Sequence, residues 1–417
     1  MKMKKILSMV LAGTMVLSLA ACGGGSGSGS DATKAATQAA DATQAADATE
    51  AAGGEASSDA VWKIGGIGPI TGGGAAYGIS VMNASQLAAE EINAAGGING
   101  YKVEYQFQDD ELNNEKSVNA YNSLKDWGMQ ILLGTVTSGC GIAVGAEAVS
   151  DNMFMLTPSG SSQDVADTGD NIFQVCFTDP NQGAKSAQYI GENGLGDKVA
   201  IIYDSSDPYS TGIYDTFKTE AANQPFEIVA EGAFTADNKT DFSVQLQQAN
   251  DAGANLVFLP IYYTEAAMIL TQSASKGYSF NFFGCDGMDG ILTVEDFDTK
   301  LAEGLMLLTP FVPTSEAEAT KTFVDNYRAK FDNLDPNQFG ADAYDGMYAL
   351  KAALEAADLT PEASVSDICE ALKTQFTSLN YVGITSDESG MTWTAEGYVD
   401  KAPKAAKIEN GQYVMME

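Results

Sequence analysis

The sequence predicts an α/β fold in two lobes, each a parallel sheet covered by helices on both faces. Three observations carry this. From Val61 onward, short apolar runs alternate with longer stretches of helical periodicity, the pattern of βα units. Runs such as "ANLVFLPI" are apolar throughout rather than alternating, as in strands covered on both faces. The chain from Asp59 to Glu417 also exceeds the roughly 250–300 residues at which one hydrophobic core stops growing, so two cores are expected.

The units follow in order. "VWKIGGIG" reads as a strand, and "AYGISVMNASQLAAEEINAAGG" as a helix that Gly96 and Gly97 stop. "YKVEYQFQDDE" is a strand running into a loop, and "NEKSVNAYNSLKDWG" a helix stopped by glycine. "MQILLG" is a short buried strand, "GIAVGAEAVSDN" a helix, and "MFMLTP" and "NIFQVCF" are strands around a loop. A second series begins near Pro180: helix "NQGAKSAQYIGENG", strand "KVAIIYD", helix "TGIYDTFKTEAANQ" and strand "FEIVAEGAF". "TDFSVQLQQANDAG" is a helix with Thr240 or Asp241 as N-cap and Gly253 as stop. "ANLVFLPI", "TEAAMILTQSASKG" and "FNFFGCDG" add strand, helix and strand. "EGLMLLTPFVP" is a strand and crossover, "EAEATKTFVDNYRAKF" and "GADAYDGMYALKAALEAAD" are long amphipathic helices, and the stretch from Gly390 is turn-rich and strand-like. Right-handed crossovers then place the loops that follow the strands along one edge of each sheet, where such folds bind ligands.

Ahead of this lies a different kind of sequence. "MKMKK" is basic, and an apolar run from Ile6 to Ala20 follows, shorter than the roughly 20 residues a membrane-spanning helix needs. It reads as a secretory signal over residues 1–21. The run ends in Leu19-Ala20-Ala21-Cys22, which resembles a bacterial lipobox, so Cys22 is the expected lipidation site. Residues 22–59 are Gly, Ser, Ala, Thr and acids, with the unit A-D-A-T-(Q/E)-A-A recurring. With so little apolar surface to bury, this segment is expected to be a flexible tether on a lipid anchor.

Composition excludes several chemistries. Lys+Arg is 22 against Asp+Glu 56, a formal charge of −34, which disfavours nucleic acid as a partner. There is no histidine, so His-based triads, most zinc sites and the commonest general base are absent. Cys140, Cys176, Cys285 and Cys369 are widely spaced with no CxxC, and buried free thiols are expected. The glycine-rich "IGPITGGGAAYG" places Gly66 and Gly68 at the first two positions of a dinucleotide loop, but Thr71 holds the third and Pro69 interrupts it. No Walker lysine follows. A tight turn, or backbone brought close to a small ligand, fits better. In "TVTSGC", Val136 stands where a nucleophile elbow needs glycine, and Ser138 has no ordinary base. Asp109 and Asp110 are adjacent, hence a poor catalytic pair. Nothing calls for a cofactor or a metal, and no enzyme is expected.

What remains is polar chemistry in four loops after strands: "ITGGGAAYG", "GTVTSGCG", "TPSGSS" and "CDGMDG". Hydroxyls and free backbone N–H groups suit a carboxylate, and an acid such as Asp286 suits an ammonium. A pocket with both suits a zwitterion.

From about Val61 to the C-terminus the chain resembles the periplasmic branched-chain amino-acid binding proteins of ABC transporters. The matching pieces are "IGGIGPITGGGAAYG", "AAEEINAAGGINGYKVEYQFQDDE", "LLGTVTSG", "MLTPSGSS", "FTDPNQG", "VAIIYDSSDPYSTG" and "FFGCDG". The resemblance implies two Rossmann-like α/β lobes joined by a three-segment hinge, with a closing cleft, an amino-acid ligand, an ABC permease and ATPase as partners, and a monomer held at the cell membrane on the extracellular or periplasmic face. The chain would run through an N-terminal lobe (60–180) and a C-terminal lobe (181–308), return to the first at 309–390 and to the second at 391–417. Ser138 and Ser161 would donate to the ligand carboxylate. The Ser159 carbonyl and the Ser161 hydroxyl would accept from the ammonium, which Asp286 would pair. Tyr77, Tyr209 and Tyr262 would line the cleft. The family's small apolar residues in this loop are replaced here by Ser159 and Gly160, its Thr by Ser161 and its Glu by Asp286. These differences bear on side-chain specificity, and a ligand more polar than leucine is compatible with them. The same fold with urea, an amide or an aromatic acid as ligand, or with a sensor role, is the alternative.

Overall fold

The structure, a computed structural model, describes residues 60–416. The signal segment, Cys22 and the tether lie outside the described residues.

The first sheet is built from β1 (Trp62–Gly68), β2 (Val103–Asp109), β3 (Ile131–Leu133), β4 (Phe154–Thr157) and β5 (Ile172–Gln174), in the order β2-β1-β3-β4-β5 and parallel throughout. Between them run α1 (Ala75–Ala94), α2 (Asn114–Trp127), α3 (Ser138–Asp151) and the single turn α4 (Gln163–Ala166). Strand alternation splits the apolar side chains between two cores. Ile64, Leu133, Phe154, Leu156 and Phe173 pack on one face, while Ile67, Leu132 and Met155 pack on the other against Leu124 and Val144. Each such burial stabilises the fold by about 1.5–3 kcal/mol, which explains why these strands carry so few polar residues. Asn113 caps α2 by accepting from Lys116 N at 3.0 Å, and Gly128, at φ 96°, ends it.

The chain then crosses into α5 (Asp179–Glu192), β6 (Lys198–Asp204), α6 (Pro208–Ala221), β7 (Glu227–Phe234), α7 (Ser243–Asp251), β8 (Leu256–Leu259), α8 (Tyr263–Ser275), β9 (Asn281–Gly284) and β10 (Met306–Thr309). It recrosses into α9 (Glu318–Lys330), α10 (Gln338–Ala356) and α11 (Val365–Phe376), which complete the first lobe: Leu350, Leu354, Leu372 and Phe376 join the core of Ile64 and Phe154. The two-residue strands β11 (Asn380–Tyr381) and β12 (Met391–Thr392) pair with each other. β13 (Lys404–Glu409) and β14 (Gln412–Met415) then close the second sheet, ordered β14-β13-β10-β9-β8-β6-β7. Ile202, Val257 and Leu259 face one side of that sheet, and Ile201, Phe258 and Phe283 the other.

Three expectations need correction, and one helix is added. The second sheet is mixed, because β13 runs antiparallel to β10 and β14 antiparallel to β13. The last crossing lies near Lys401 rather than at 391, since Met391, Trp393 and Val399 remain buried in the first lobe and Trp393 Nε1 donates to Gln174 O at 2.7 Å. α7 starts at Ser243 with Phe242 in the N-cap position. Asp241 instead accepts from Ser243 N at 2.9 Å in a local turn. Helix α11 was not anticipated, although Ser364 caps it by accepting from Asp367 N at 3.1 Å, and Ile368, Leu372 and Phe376 repeat at helical spacing. As expected, the four cysteines are buried and free.

Candidate functional site

A narrow, tightly closed cavity lies between the lobes, at the ends of the strands where the loops emerge. Val136, Thr137 and Ser138 reach it from the segment joining β3 to α3, Ser159 from the loop after β4, and Tyr77 and Phe339 from α1 and α10. The second lobe contributes Tyr209, Tyr262, Asp286 and Gly287. Six of the eight side chains and loops singled out in the sequence therefore meet here. Gly160 and Ser161 sit behind Ser159: Gly160 N donates to Thr157 Oγ1 at 2.8 Å, and Ser161 O accepts from Asp179 N at 2.9 Å. Gly160 is tightly held, since a Cβ there would come within 2.9 Å of Thr157 Oγ1.

The hydroxyls differ in what they leave free. Ser138 Oγ accepts from Ser162 N at 3.1 Å, so its own proton is available to an acceptor in the cavity. Ser138 is the first residue of α3, whose first-turn N–H groups have no intrahelical partners and favour negative charge. Ser159 Oγ donates to Val136 O at 2.7 Å, which leaves its oxygen as an acceptor.

The opposite wall is acidic. Asp286 is 2% exposed, and burial pushes its carboxyl up to about 7. Tyr209 Oη donates to Asp286 Oδ1 at 2.7 Å and accepts from Gly287 N at 3.0 Å, while Asp286 N donates to Gln182 Oε1 at 3.0 Å. Residue 287 has to be glycine for this, because a Cβ would lie 2.6 Å from Tyr209 Oη and 2.7 Å from Ile261 O. Aromatic rings enclose the space: Tyr209 stacks on Tyr262 with centroids 4.9 Å apart, and Tyr77 meets Phe339 edge-on at 4.8 Å.

Contacts from "ITGGGAAYG" close the lobes on the cavity. Tyr77 Oη donates to Gly287 O and accepts from Tyr263 N, Tyr263 Oη accepts from Ala76 N, and Thr264 Oγ1 donates to Gly73 O. Gly72–Gly74 forms a tight turn, and Gly78 lets α1 pass Pro69, whose carbonyl oxygen would be 1.9 Å from a Cβ. A larger open groove, lined by Asp204, Asp207 and the Lys239–Glu265 ion pair, shares Thr137 and Tyr262 with the cavity.

Phe339, Gln182 and Gly287 were not singled out from sequence. Gly287 neighbours Asp286 in a quoted loop, but Phe339 and Gln182 arrive on helices that look like ordinary core elements. Among the described residues there is no group of three or more His, Cys, Asp or Glu able to hold a metal ion, and no helix long and apolar enough to cross a membrane.

Comparisons with known proteins agree with this architecture. Residues 61–393 match the family model described as periplasmic binding protein. The chain is 30% identical over 302 residues to the Leu/Ile/Val-binding protein homolog 3 of Brucella melitensis, covering 72% of this chain and 80% of that one. Among solved structures, the branched-chain amino acid transporter substrate binding protein LivJ of Streptococcus pneumoniae, in complex with isoleucine, is 27% identical with a TM-score of 0.76, over 85% of this chain and 97% of that one. A solute binding protein of an ABC transporter from Rhodopseudomonas palustris, in complex with 3,4-dihydroxybenzoic acid, shares the fold at 20% identity and a TM-score of 0.74, over 86% and 96% of the two chains.

Proposed function

The chain belongs to the periplasmic binding protein family, and we propose that it captures a single amino acid between its lobes and delivers it to an ABC permease. Its family is that of exported substrate-binding proteins of ABC transporters, which are binding proteins rather than enzymes. The observation that carries the amino-acid reading is the polarity of the cavity. The free Ser138 proton and the start of α3 face it from one lobe, and the buried Asp286 carboxyl faces it from the other. A zwitterion satisfies both walls: its carboxylate takes the hydroxyl and helix end, and its ammonium neutralises Asp286.

The remaining roles follow from the same placement. Ser159 Oγ, its proton already committed, accepts from the ammonium. Tyr77, Tyr209, Tyr262 and Phe339 form an aromatic box around the aliphatic part of the ligand. Binding to both walls favours the closed arrangement, and the permease reads that shape. Cys22 carries the lipid that holds the monomer at the membrane.

Isothermal calorimetry of the domain from residue 60 with each of the 20 amino acids tests this. A ligand at 100 times its Kd stabilises the fold by about 2.7 kcal/mol, readily seen as a thermal shift. Lack of binding by all 20 would overturn the assignment. Binding of benzoate-type acids, undiminished in Asp286→Asn, would instead favour an aromatic acid, which has no ammonium for Asp286 to pair.

A further inference from the structure

The first N–H of α10 is that of Gln338. A helix cannot satisfy this group from within, and Gln338 is only 1% exposed, so the partner has to come from elsewhere in the chain. Asn337, the N-cap, accepts instead from Gly340 N at 3.1 Å. The partner of Gln338 N belongs to the other lobe: Asp289 Oδ2 accepts from it at 2.9 Å. Asp289 is itself buried, in the loop that follows β9, and its backbone N donates to Asp286 O at 2.8 Å. One short turn of chain therefore carries the cavity carboxyl at one end and a cap for the opposite lobe at the other.

Both ends of this bond are firmly seated. On the first lobe, Asn337 Nδ2 donates to Ala76 O at 3.0 Å and Asn337 N to Ser80 Oγ at 3.1 Å, residues that flank Tyr77 in α1. Gly340 lies so close to α1 that a Cβ would be 2.2 Å from Ser80 Oγ. On the second lobe, Met288 packs on Gly284 at the end of β9, where a Cβ would come 2.2 Å from Met288 Cγ. Phe339, next to Gln338, lines the cavity, and so do Asp286 and Gly287. The loop thus has two ties to the first lobe, from Gly287 O to Tyr77 Oη and from Asp289 Oδ2 to Gln338 N. A loop held at one point can pivot about it, and held at two it cannot. Tyr77 meets Phe339 edge-on, so the ties, the two rings and the loop form a closed circuit along the cavity wall.

We propose that Asp289 is a positioning residue of this site, its carboxyl capping α10 across the lobe boundary and so fixing the spacing between Phe339 and the Asp286–Gly287 loop, which limits the size of the ligand side chain. The inference rests on the amino-acid reading above. Asp289 is not itself part of the cavity wall and acts through Phe339 and Asp286, which are. Gln338 Nε2, 3.4 Å from Asp286 O and 3.5 Å from Asp289 Oδ2, reinforces the same junction. Without the cap, the Gln338 N–H is left unpaired in a buried place, and the loop and the start of α10 settle further apart. A wider gap costs the best-fitting ligand its contacts and makes room for a larger one.

The test uses calorimetry on the domain from residue 60, with the tightest-binding of the 20 amino acids and those of larger side chain. Asp289→Ala is expected to weaken the best ligand about fivefold or more while larger amino acids gain relative to it. Asp289→Asn keeps an oxygen for Gln338 N, so both readouts are expected within about twofold of wild type. Gln338→Pro removes the same N–H from the other side. Proline suits the first helical position, and Asn337 already holds the extended backbone that a following proline needs. This variant is expected to match Asp289→Ala, and the two together to do no more than either alone. The proline arm stands even where Asp289→Ala fails to fold. An unchanged Kd for the best ligand in either folded variant would overturn the proposal. So would a variant that weakens every amino acid equally, or an Asp289→Asn that behaves as Asp289→Ala does. If the wild-type domain binds none of the 20, the functional reading fails and this inference goes with it. Wild-type binding with a contrary variant result defeats this inference alone.

Discussion

Tyr77 Oη donates to Gly287 O at 2.5 Å, and the two residues belong to opposite lobes. The same oxygen accepts from Tyr263 N at 3.3 Å, so one phenol bridges two backbone sites of the second lobe and lies in the cavity wall. The interlobe bonds and part of the cavity wall thus fall on a single side chain.

Removing that hydroxyl should therefore act on the open–closed equilibrium more than on fold stability. Tyr77→Phe keeps the ring against Phe339 and Tyr263 but removes the interlobe bonds, each worth about 0.5–1.5 kcal/mol. The expected outcome is a fivefold to twentyfold weaker Kd with a nearly unchanged melting temperature. Small-angle scattering of the ligand-free domain should show a larger radius of gyration.

Asp286 should impose a pH dependence of known sign. Its carboxyl titrates at about 7 in the folded protein and at about 3.9 when unfolded, so between these values the folded state holds the extra proton. Its contribution to stability is full below about pH 4 and is lost as pH rises through 7. Asp289, pushed by burial to about 6, adds to the same trend. Affinity for an ammonium ligand moves the other way, rising up to about pH 7 as Asp286 ionises. Asp286→Asn should flatten the upper part of the melting-temperature profile, and should cost about 2–5 kcal/mol of amino-acid affinity. Paired melting and calorimetric titrations from pH 5 to 8.5 check both.

The crossings between lobes contain a buried ion pair. Lys401, on the third crossing, donates to Asp342 of α10, to Thr385 Oγ1 at 2.6 Å and to Val175 O of the first crossing at 3.2 Å. Lys401→Ala leaves Asp342 buried beside Asp345 without its cation and should cost about 3–5 kcal/mol in urea unfolding. The pair Lys401→Met with Asp342→Leu is expected to recover most of this loss. A double variant as unstable as the single one would count against charge isolation as the cause.

Phe339 should set side-chain preference. It closes the cavity against Tyr77, so Phe339→Ala opens room in the cavity wall. Discrimination between small and large aliphatic amino acids is expected to shift by about 1–3 kcal/mol toward the larger, the scale of one methylene in an apolar pocket. Competition calorimetry with alanine, valine and leucine reads this directly.

Much of the fold was legible because its signals are local. Apolar runs such as "VFL" in β8 and glycine stops such as Gly128 depend on neighbours within a few residues. So do the loops after strands, and Ser138, Ser159 and Asp286 were visible as polar residues at strand ends. Helix α11 is equally legible from its Ser364 cap and the helical spacing of Ile368, Leu372 and Phe376. The direction of β13 and β14 was not legible, because a strand's apolar pattern is the same whichever way it runs. Nor was the position of the last crossing, which depends on Trp393 finding Gln174 across 219 residues of chain.

By itself the sequence determined what chemistry was available: no histidine, no phosphate loop, and hydroxyls and an acid placed after strands. The βα rhythm, a property of side-chain periodicity, was set at the same level. Only the tertiary structure decided which polar groups meet. It put Ser138 on the cavity wall and Ser161 behind it, tied the Asp179 backbone to the Ser161 carbonyl, and enclosed Asp286 with Tyr209 and Gln182. These outcomes depend on how two lobes pack around three chain crossings. Burial, which changes a carboxyl from a surface charge into a group titrating near neutrality, exists only once that packing is complete.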